Sequence, residues 1–305
     1  MTRVAAIDCG TNSIRLLVAD VSDGTLTDVV REMRIVRLGQ DVDRTGRLAD
    51  DALARTFAAL EDYAATIKQF GAERTRMCAT SATRDAENRE VFVKGVVDIL
   101  GMEPEVITGA EEATTSFRGA TATLSTDVFA PPYLVVDIGG GSTEFVLGET
   151  RVQQSISVDM GCVRLTERCL VAHPPTAAEI AAATRLIDER IHEALAAVDA
   201  ARARTLVGLA GSVTTVAALA LGLEAYDPAR IHHQRIAYAD VNRIASDLLS
   251  RTPDERLAYR VMHPGRADVI GAGALILRRI MERTGMTEVV ASESDILDGI
   301  ALSLV

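Results

Sequence analysis

The chain reads Val4-Ala5-Ala6-Ile7-Asp8-Cys9-Gly10-Thr11-Asn12-Ser13-Ile14-Arg15 near its start and Leu134-Val135-Val136-Asp137-Ile138-Gly139-Gly140-Gly141-Ser142-Thr143-Glu144 farther on. In each copy an apolar run ends in an aspartate, a small glycine-containing turn follows, and a second apolar run begins. This pattern predicts a β-hairpin whose tip exposes backbone N–H groups beside a carboxylate. Such N–H groups bind phosphate oxygens, and a carboxylate at the tip suits Mg²⁺. Two copies facing each other would form a cleft for a phosphate chain.

Length and composition set the broad class. A chain of 305 residues exceeds the usual size of a single hydrophobic core, so we expect two domains. No apolar stretch approaches the roughly 20 residues that span a bilayer. The N-terminus goes straight into a strand pattern, so we expect no secretory signal. We therefore expect a cytoplasmic protein with no membrane partner. The four cysteines form no CxxC pair and have no histidine at metal spacing, so we expect reduced, partly buried thiols.

The charged residues exclude two classes of protein. A net charge of −11 argues against a non-specific nucleic-acid binder, which needs a broad basic face. Lys68 and Lys94 are the only lysines, and neither lies in a glycine-rich loop. The chain therefore has no Walker A motif and is not a P-loop NTPase. Arginines concentrated in one cleft could still bind a polyanion.

The order of elements repeats. Each half begins with the hairpin and a third strand, and continues through a helix, a strand and a further helix. This order predicts an α/β fold with one mixed sheet per domain. Pro131-Pro132 breaks the pattern, and we place the domains at residues 1–125 and 126–305. A last strand is expected near Glu288 and a last helix from about Asp295.

Four turns are candidate phosphate-binding sites. Two are the hairpin tips, the third is Thr80-Ser81-Ala82-Thr83-Arg84 at a strand end, and the fourth is Gly208-Leu209-Ala210-Gly211-Ser212, which opens a helix. Singly, Thr80, Ser81 and Ser212 are more typical of plain helix caps. The residues predicted to bind phosphate are Gly10, Thr11, Asn12, Ser13, Arg15, Thr80, Ser81, Arg84, Gly139, Gly140, Gly141, Ser142, Thr143, Gly211 and Ser212. For Arg15, pairing with a surface carboxylate is an equally good interpretation.

Acidic residues supply the candidate base and metal ligands. Glu111 and Glu112 begin a helix, where acidic residues usually complement the helix dipole. Adjacent helical positions diverge by about 100°, so only one of the two can face a cleft, and spacing does not choose between them. Asp8 and Asp137 are candidate Mg²⁺ ligands. Glu144 occupies the position of Arg15 in the repeat and either directs the metal or faces solvent.

These motifs resemble the exopolyphosphatase/guanosine-pentaphosphate phosphatase family. The resemblance rests on Asp8 to Leu17, Thr80 to Arg84, Gly109-Ala110-Glu111-Glu112-Ala113, Asp137 to Glu144, Met160-Gly161-Cys162 and Gly208 to Ser212. It implies two actin-like (ribonuclease H-like) domains, each a mixed sheet of five-stranded type flanked by helices, with a last helix that returns to the first domain. It also implies that Glu112 positions the attacking water, that Asp137 and Glu144 help to hold Mg²⁺ (or Mn²⁺ in its place), and that the enzyme is a homodimer.

The resemblance implies hydrolysis of the terminal phosphoanhydride of inorganic polyphosphate. A close alternative is removal of the 5′ γ-phosphate of pppGpp, because both substrates use the same phosphate contacts. An actin-like ATPase and a non-catalytic polyphosphate or alarmone sensor are weaker alternatives. The sequence lacks the C-terminal helical domain of longer members, from which we expect a preference for short chains. It also carries Asp298 where many members have an arginine, so we do not expect the phosphate contact that such an arginine would make.

Overall fold

The computed structural model describes residues 1–305, which form two compact units. The first comprises Met1–Gly119 and Ile296–Val305, and the second comprises Ala120–Asp295. This division lies slightly before the boundary at 125 that the sequence suggested. The reason is that the connecting segment packs on the second unit: the Thr123 hydroxyl lies 3.4 Å from Nε2 of His233, and the Phe129 ring meets the His233 ring edge-on.

The first unit consists of β1 (Thr2–Cys9), β2 (Ser13–Ser22), β3 (Thr25–Ile35), α1 (Val42–Thr45), α2 (Asp50–Phe70), β4 (Arg74–Ala79), α3 (Ser81–Asp85), α4 (Arg89–Leu100), β5 (Glu105–Val106), α5 (Gly109–Thr121) and α13 (Ile296–Leu302). Its five strands form one sheet in the order β3-β2-β1-β4-β5. The pairs β1–β2 and β2–β3 are antiparallel, whereas β4 runs parallel to β1 and to β5.

Both faces of this first sheet are covered by apolar side chains. Alternating residues of β1 point to opposite sides, because successive side chains in a strand alternate. One face packs with α2 and α4, through residues such as Leu60 and Phe92. The other face packs with α13, through Ile296 and Ile300.

The second unit consists of β6 (Tyr133–Ile138), β7 (Thr143–Gly148), β8 (Val152–Val158), α6 (Cys162–Cys169), α7 (Ala177–Ala197), β9 (Thr205–Leu209), α8 (Ala210–Ala220), α9 (Pro228–Ile231), β10 (Arg235–Ala237), α10 (Tyr238–Ser250), α11 (Pro253–Arg256), α12 (Ile270–Thr284) and β11 (Glu288–Ala291). Short 3₁₀ turns lie at Ala200–Arg202 and Pro264–Arg266. The sheet has six strands in the order β10-β11-β9-β6-β7-β8.

The sixth strand is a difference from the five-stranded sheet expected from the sequence. β10 spans only Arg235–Ala237 and pairs antiparallel with β11 at the sheet edge. Three residues show too little alternation to be recognised as a strand, and β10 leads directly into α10. The predicted α/β class, with two mixed sheets flanked by helices, is confirmed.

The two sheets share one topology. In each, the first three strands form an antiparallel meander, and two further strands lie parallel to the first strand on its other side. Thus β1, β2, β3, β4 and β5 correspond to β6, β7, β8, β9 and β11. The duplication read from the two hairpins therefore extends to five strands of each sheet, and β10 has no counterpart in the first unit.

The helices begin and end at residues suited to those positions. At the start of α7, Thr176 and Glu179 exchange the reciprocal hydrogen bonds of a capping box. Gly71 ends α2 in the left-handed conformation, with φ of 65°. None of the helices combines the length and the apolar character that a bilayer crossing requires.

Candidate active site

The two hairpin tips have the same backbone geometry. The Gly10 amide donates to the Ser13 carbonyl at 2.9 Å, and the Gly139 amide donates to the Ser142 carbonyl at 3.0 Å. Between these residues the amides of Thr11 and Asn12, and of Gly140 and Gly141, donate to no group of the protein. Backbone N–H groups collected in a turn form a concave binding site for anions. Each unit therefore carries a turn suited to phosphate oxygens.

The loop between β3 and α1 supports the first tip. The Gly39 amide donates to the Thr11 carbonyl at 2.8 Å, and the Arg37 amide donates to the Asn12 carbonyl at 2.9 Å. A Cβ atom at Gly39 would overlap the Thr11 side chain and touch Ala82 at 3.0 Å. Gly39 therefore allows the loop to lie between the tip and α3. In the sequence, a single glycine at this position does not indicate the contact.

The third predicted turn joins the first tip. The Thr80 amide donates to the Cys9 carbonyl at 3.1 Å, which extends the pairing of β1 and β4 to the strand ends. Thr80 and Ser81 are buried, and α3 starts at Ser81. Thr80 stands at the N-cap position of α3, but its hydroxyl makes no capping hydrogen bond. At the end of this segment Arg84 presents its guanidinium group.

Glu111 and Glu112 have different roles. The Glu111 carboxylate accepts hydrogen bonds from the Thr108 amide at 2.8 Å and from the Thr108 hydroxyl at 2.9 Å. The Glu111 amide donates in return to the Thr108 hydroxyl at 3.2 Å, which completes a capping box. These bonds favour the charged form and lower the pKa of Glu111. Glu111 therefore serves the helix start.

Glu112 is the member of the pair that faces the third turn. Its side chain is buried, and Oε2 accepts a hydrogen bond from Nη1 of Arg84 at 3.1 Å. The same Nη1 donates to the Ile107 carbonyl at 2.8 Å. Arg84 is thus fixed by the main chain and in turn holds the carboxylate. A buried carboxylate in a set orientation can accept a hydrogen bond from a water and align it.

In the first hairpin the carboxylate at the tip pairs with an arginine. Arg15 donates to Oδ2 of Asp8 from Nε at 3.0 Å and from Nη2 at 2.6 Å. The two residues lie directly opposite each other on β1 and β2. Asp8 is buried, so the partner of Arg15 is not the surface carboxylate of the alternative interpretation. Phosphate binding by Arg15 and metal binding by Asp8 stay predictions.

In the second hairpin the equivalent position carries a second carboxylate. Asp137 and Glu144 lie directly opposite each other on β6 and β7, and they are 8% and 1% exposed. Glu144 therefore does not face solvent. Opposed carboxylates on one sheet face repel each other, and a bound cation would offset that repulsion. Mg²⁺ typically takes one or two carboxylates together with waters and substrate phosphates, so this pair fits the ion.

The structure contains no group of three or more histidine, cysteine, aspartate or glutamate side chains placed to hold a metal. A site at Asp137 and Glu144 would therefore depend on oxygens from water and substrate for its remaining ligands. This dependence is typical of Mg²⁺, which keeps several waters when it binds to protein. Asp8 is not part of that pair, because it belongs to the other hairpin.

Residues before and within α6 shape the second tip. A Cβ atom at Gly161 would overlap the backbone of Gly140 and Gly141. The Cys162 amide donates to the Gly139 carbonyl at 3.0 Å, and Nε of Arg164 donates to the Gly141 carbonyl at 2.8 Å. These contacts use the carbonyl oxygens of the turn as acceptors and do not involve the backbone amides of Gly140 and Gly141. Met160-Gly161-Cys162 is one of the motifs that carry the family resemblance, but its role in supporting the turn was not predicted.

The fourth predicted turn opens α8 in the second unit. Ala210 adopts the left-handed conformation, with φ of 65°, which is costly for a residue with a Cβ atom. Such strain is often found at binding sites. The Arg266 guanidinium packs directly on the Gly211 backbone, and its Nη1 donates to the Thr215 hydroxyl at 2.8 Å. Sequence spacing could not reveal Arg266, because it lies far along the chain from Gly211.

The cysteines form no disulfide, and most of them are shielded from water. All four are free, and Cys9, Cys78 and Cys162 are buried. Burial raises the pKa of the Cys9 and Cys162 thiols. This confirms the prediction of reduced, partly buried thiols and argues against a cysteine nucleophile.

Asp298 has a structural partner. It is buried, and it accepts a hydrogen bond from Nη2 of Arg31 at 2.7 Å. The neighbouring Gly299 lets α13 approach the Thr115 carbonyl of α5, since a Cβ atom there would overlap it. At this position the chain therefore has an ion pair within the first unit.

Comparison with known proteins gives one consistent family. The model of the Ppx/GppA phosphatase family matches residues 17–305. Exopolyphosphatase 2 of Mycobacterium tuberculosis is 55% identical, over 100% of this chain and 99% of that protein. A crystal structure of an exopolyphosphatase-like protein superposes with a TM-score of 0.97 at 45% identity, covering 99% of this chain and 97% of that one. Guanosine-5'-triphosphate,3'-diphosphate pyrophosphatase of Vibrio atlanticus is 28% identical, over 99% of this chain and 59% of that protein.

Proposed function

The chain belongs to the Ppx/GppA phosphatase family, and from this we propose that it is an exopolyphosphatase that releases orthophosphate from the end of inorganic polyphosphate. The relative named as an exopolyphosphatase is 55% identical and matches over its whole length. The relative named for the guanosine substrate is 28% identical and extends well beyond the matched region. Identity therefore favours polyphosphate over pppGpp.

The observation that carries the proposal is the division of labour between Glu111 and Glu112. The Glu111 carboxylate accepts the hydrogen bonds of the capping box, whereas the Glu112 carboxylate is buried and is held by Arg84. Hydrolysis of a phosphoanhydride requires little covalent chemistry from the protein, but it does require a positioned water and compensated charge. Glu112 would accept a hydrogen bond from that water. In this orientation a lone pair of the water oxygen points at the terminal phosphorus.

The other groups of the first unit would bind the substrate. The amides of Thr11 and Asn12 would donate to phosphate oxygens, as would the Arg84 guanidinium through the N–H groups that Glu112 and Ile107 leave available. Donors to the equatorial oxygens stabilise the charge that these oxygens carry in the transition state. Since the donors are fixed by the main chain, little reorganisation is needed.

In the second unit the amides of Gly140 and Gly141 and the Ser142 hydroxyl would bind phosphate oxygens. Gly211 and Ser212 would bind phosphate at the start of α8, where the helix dipole favours an anion. Arg266 lies on that turn and adds positive charge. Asp137 and Glu144 would hold Mg²⁺. When bound, this ion neutralises phosphate charge and so assists displacement of the leaving group.

Replacing Asp137 with asparagine is expected to raise the Mg²⁺ concentration for half-maximal activity by about tenfold or more, because one of two anionic ligands is lost. The polyphosphate KM at saturating Mg²⁺ should change much less. The measurement is phosphate release across an Mg²⁺ titration. A mutant with an unchanged Mg²⁺ requirement would remove Asp137 from the metal site.

The function itself is tested by phosphate release from four substrates at matched concentration: short polyphosphate, long polyphosphate, pppGpp and ATP. We expect the largest kcat/KM on polyphosphate without any nucleotide present. A larger kcat/KM on pppGpp would favour the guanosine phosphatase, and release from ATP alone would favour the actin-like ATPase. Polyphosphate binding without turnover would identify a sensor. Homodimer formation, cytoplasmic location and chain-length preference stay predictions.

A further inference from the structure

In each unit the hairpin pairs with a third strand, and the residues that lie side by side across the three strands differ between the units. In the first unit Asp8, Arg15 and Met33 lie side by side on β1, β2 and β3. In the second unit the corresponding row is Asp137, Glu144 and Ser157 on β6, β7 and β8. Residues in register on neighbouring strands share one face of the sheet. One row therefore holds an acid, a base and a thioether, and the other holds two acids and a hydroxyl.

Ser157 contacts the second acid directly. Its hydroxyl donates to Oε1 of Glu144 at 2.7 Å, which is a charge-assisted hydrogen bond of normal length. Glu144 is 1% exposed, so the carboxylate end of this part-buried bond is shielded from bulk water, which strengthens its hold on the carboxylate. Ser157 is an uncharged donor. It can fix Glu144 without neutralising it, whereas Arg15 in the other row ion-pairs with its carboxylate.

We propose that Ser157 is a positioning residue that orients the Glu144 carboxylate for a divalent cation and so sets the affinity of the Asp137–Glu144 pair for that cation. The inference rests on the proposed function, because it takes the acidic pair as the metal site. Carboxylate ligands are commonly held by hydrogen bonds from residues behind them, and the loss of such a bond typically weakens metal binding about 10- to 100-fold.

Metal binding can be measured without turnover, by the electron paramagnetic resonance signal of Mn²⁺ titrated into the protein with no substrate present. Ser157→Ala is expected to raise the Mn²⁺ Kd about tenfold. Ser157→Thr keeps the hydroxyl on a strand where β-branched residues fit well, and it should restore the Kd to within about threefold of the wild type. The unfolding midpoint of each variant checks that the fold is retained.

Ser155→Ala is the matched control. Ser155 lies two residues away on the same strand and face, opposite Val146, and hydrogen-bonds no carboxylate. It should leave the Mn²⁺ Kd unchanged. If Ser157→Ala binds Mn²⁺ as the wild type does while Asp137→Asn binds weakly, the role of Ser157 is refuted and the proposed function stands. If Asp137→Asn and Glu144→Gln also bind Mn²⁺ normally, the metal site itself is wrong.

Discussion

A Glu112→Gln enzyme should hydrolyse polyphosphate about 10³-fold more slowly in kcat, with KM within a few-fold of the wild type. Glutamine keeps the size of the side chain and can still accept a hydrogen bond from Arg84. It has no negative charge, so it is a much weaker acceptor for the proton of the attacking water. Steady-state phosphate release and substrate binding to the variant provide the two measurements.

Glu111→Gln is the matched control for this experiment, since it makes the same chemical change at the adjacent residue. The loss of charge in the capping box should lower the free energy of unfolding by about 1 kcal/mol or less. Its kcat should stay within about threefold of the wild type, because the Glu111 carboxylate hydrogen-bonds Thr108 in the capping box and no residue of the candidate site. Equal losses of kcat in the two variants would falsify the assignment of Glu112.

Gly161→Ala should reduce kcat/KM about 100-fold or more, although the residue carries no side chain and binds no substrate. Its backbone, with φ of −132° and ψ of 162°, is one that any residue adopts. The effect comes from contact alone, because the added Cβ atom overlaps Gly140 and Gly141 and must displace the phosphate-binding turn. Overpacking of this kind also destabilises a protein by about 1–3 kcal/mol.

Gly10→Ala shows whether a glycine-to-alanine change near a tip is harmful in itself. A Cβ atom at Gly10 meets only the Ser13 carbonyl oxygen, at an ordinary 3.5 Å. The free energy of unfolding should change by less than about 1 kcal/mol. Thermal unfolding of both variants, with kinetics at saturating Mg²⁺, gives the comparison. Wild-type kcat/KM in Gly161→Ala would contradict the proposed role of the contact.

The sequence was sufficient for the fold and for most of the turns. The hairpins are local features whose strands are marked by apolar runs. Their repetition correctly predicts one mixed sheet in each unit. The three-residue β10 was missed because its pairing depends on β11, which lies some fifty residues away. Long-range pairing of a short strand leaves no periodic pattern in the sequence.

The site was less predictable, because burial and partners decide the roles of its residues. The helix period shows that Glu111 and Glu112 diverge, but only the hydrogen bonds of Thr108 and Arg84 separate the capping residue from the buried carboxylate. Arg266 reaches Gly211 from the turn before α12, a contact that no spacing encodes. Similarly, Asp8 satisfies Arg15 inside the hairpin, where the sequence left two interpretations open.

The placement of α13 in the first unit has a consequence for biosynthesis. Ile296, Leu297 and Ile300 complete an apolar cluster whose other members include Val4 and Leu17. Domains generally fold in order as the nascent polypeptide leaves the ribosome. The N-terminal sheet cannot cover one of its apolar faces until α13 has been made. This happens only after the entire second unit has been translated. A chaperone that shields this face would act on the earliest-made part of the chain, and it would be needed for longest there.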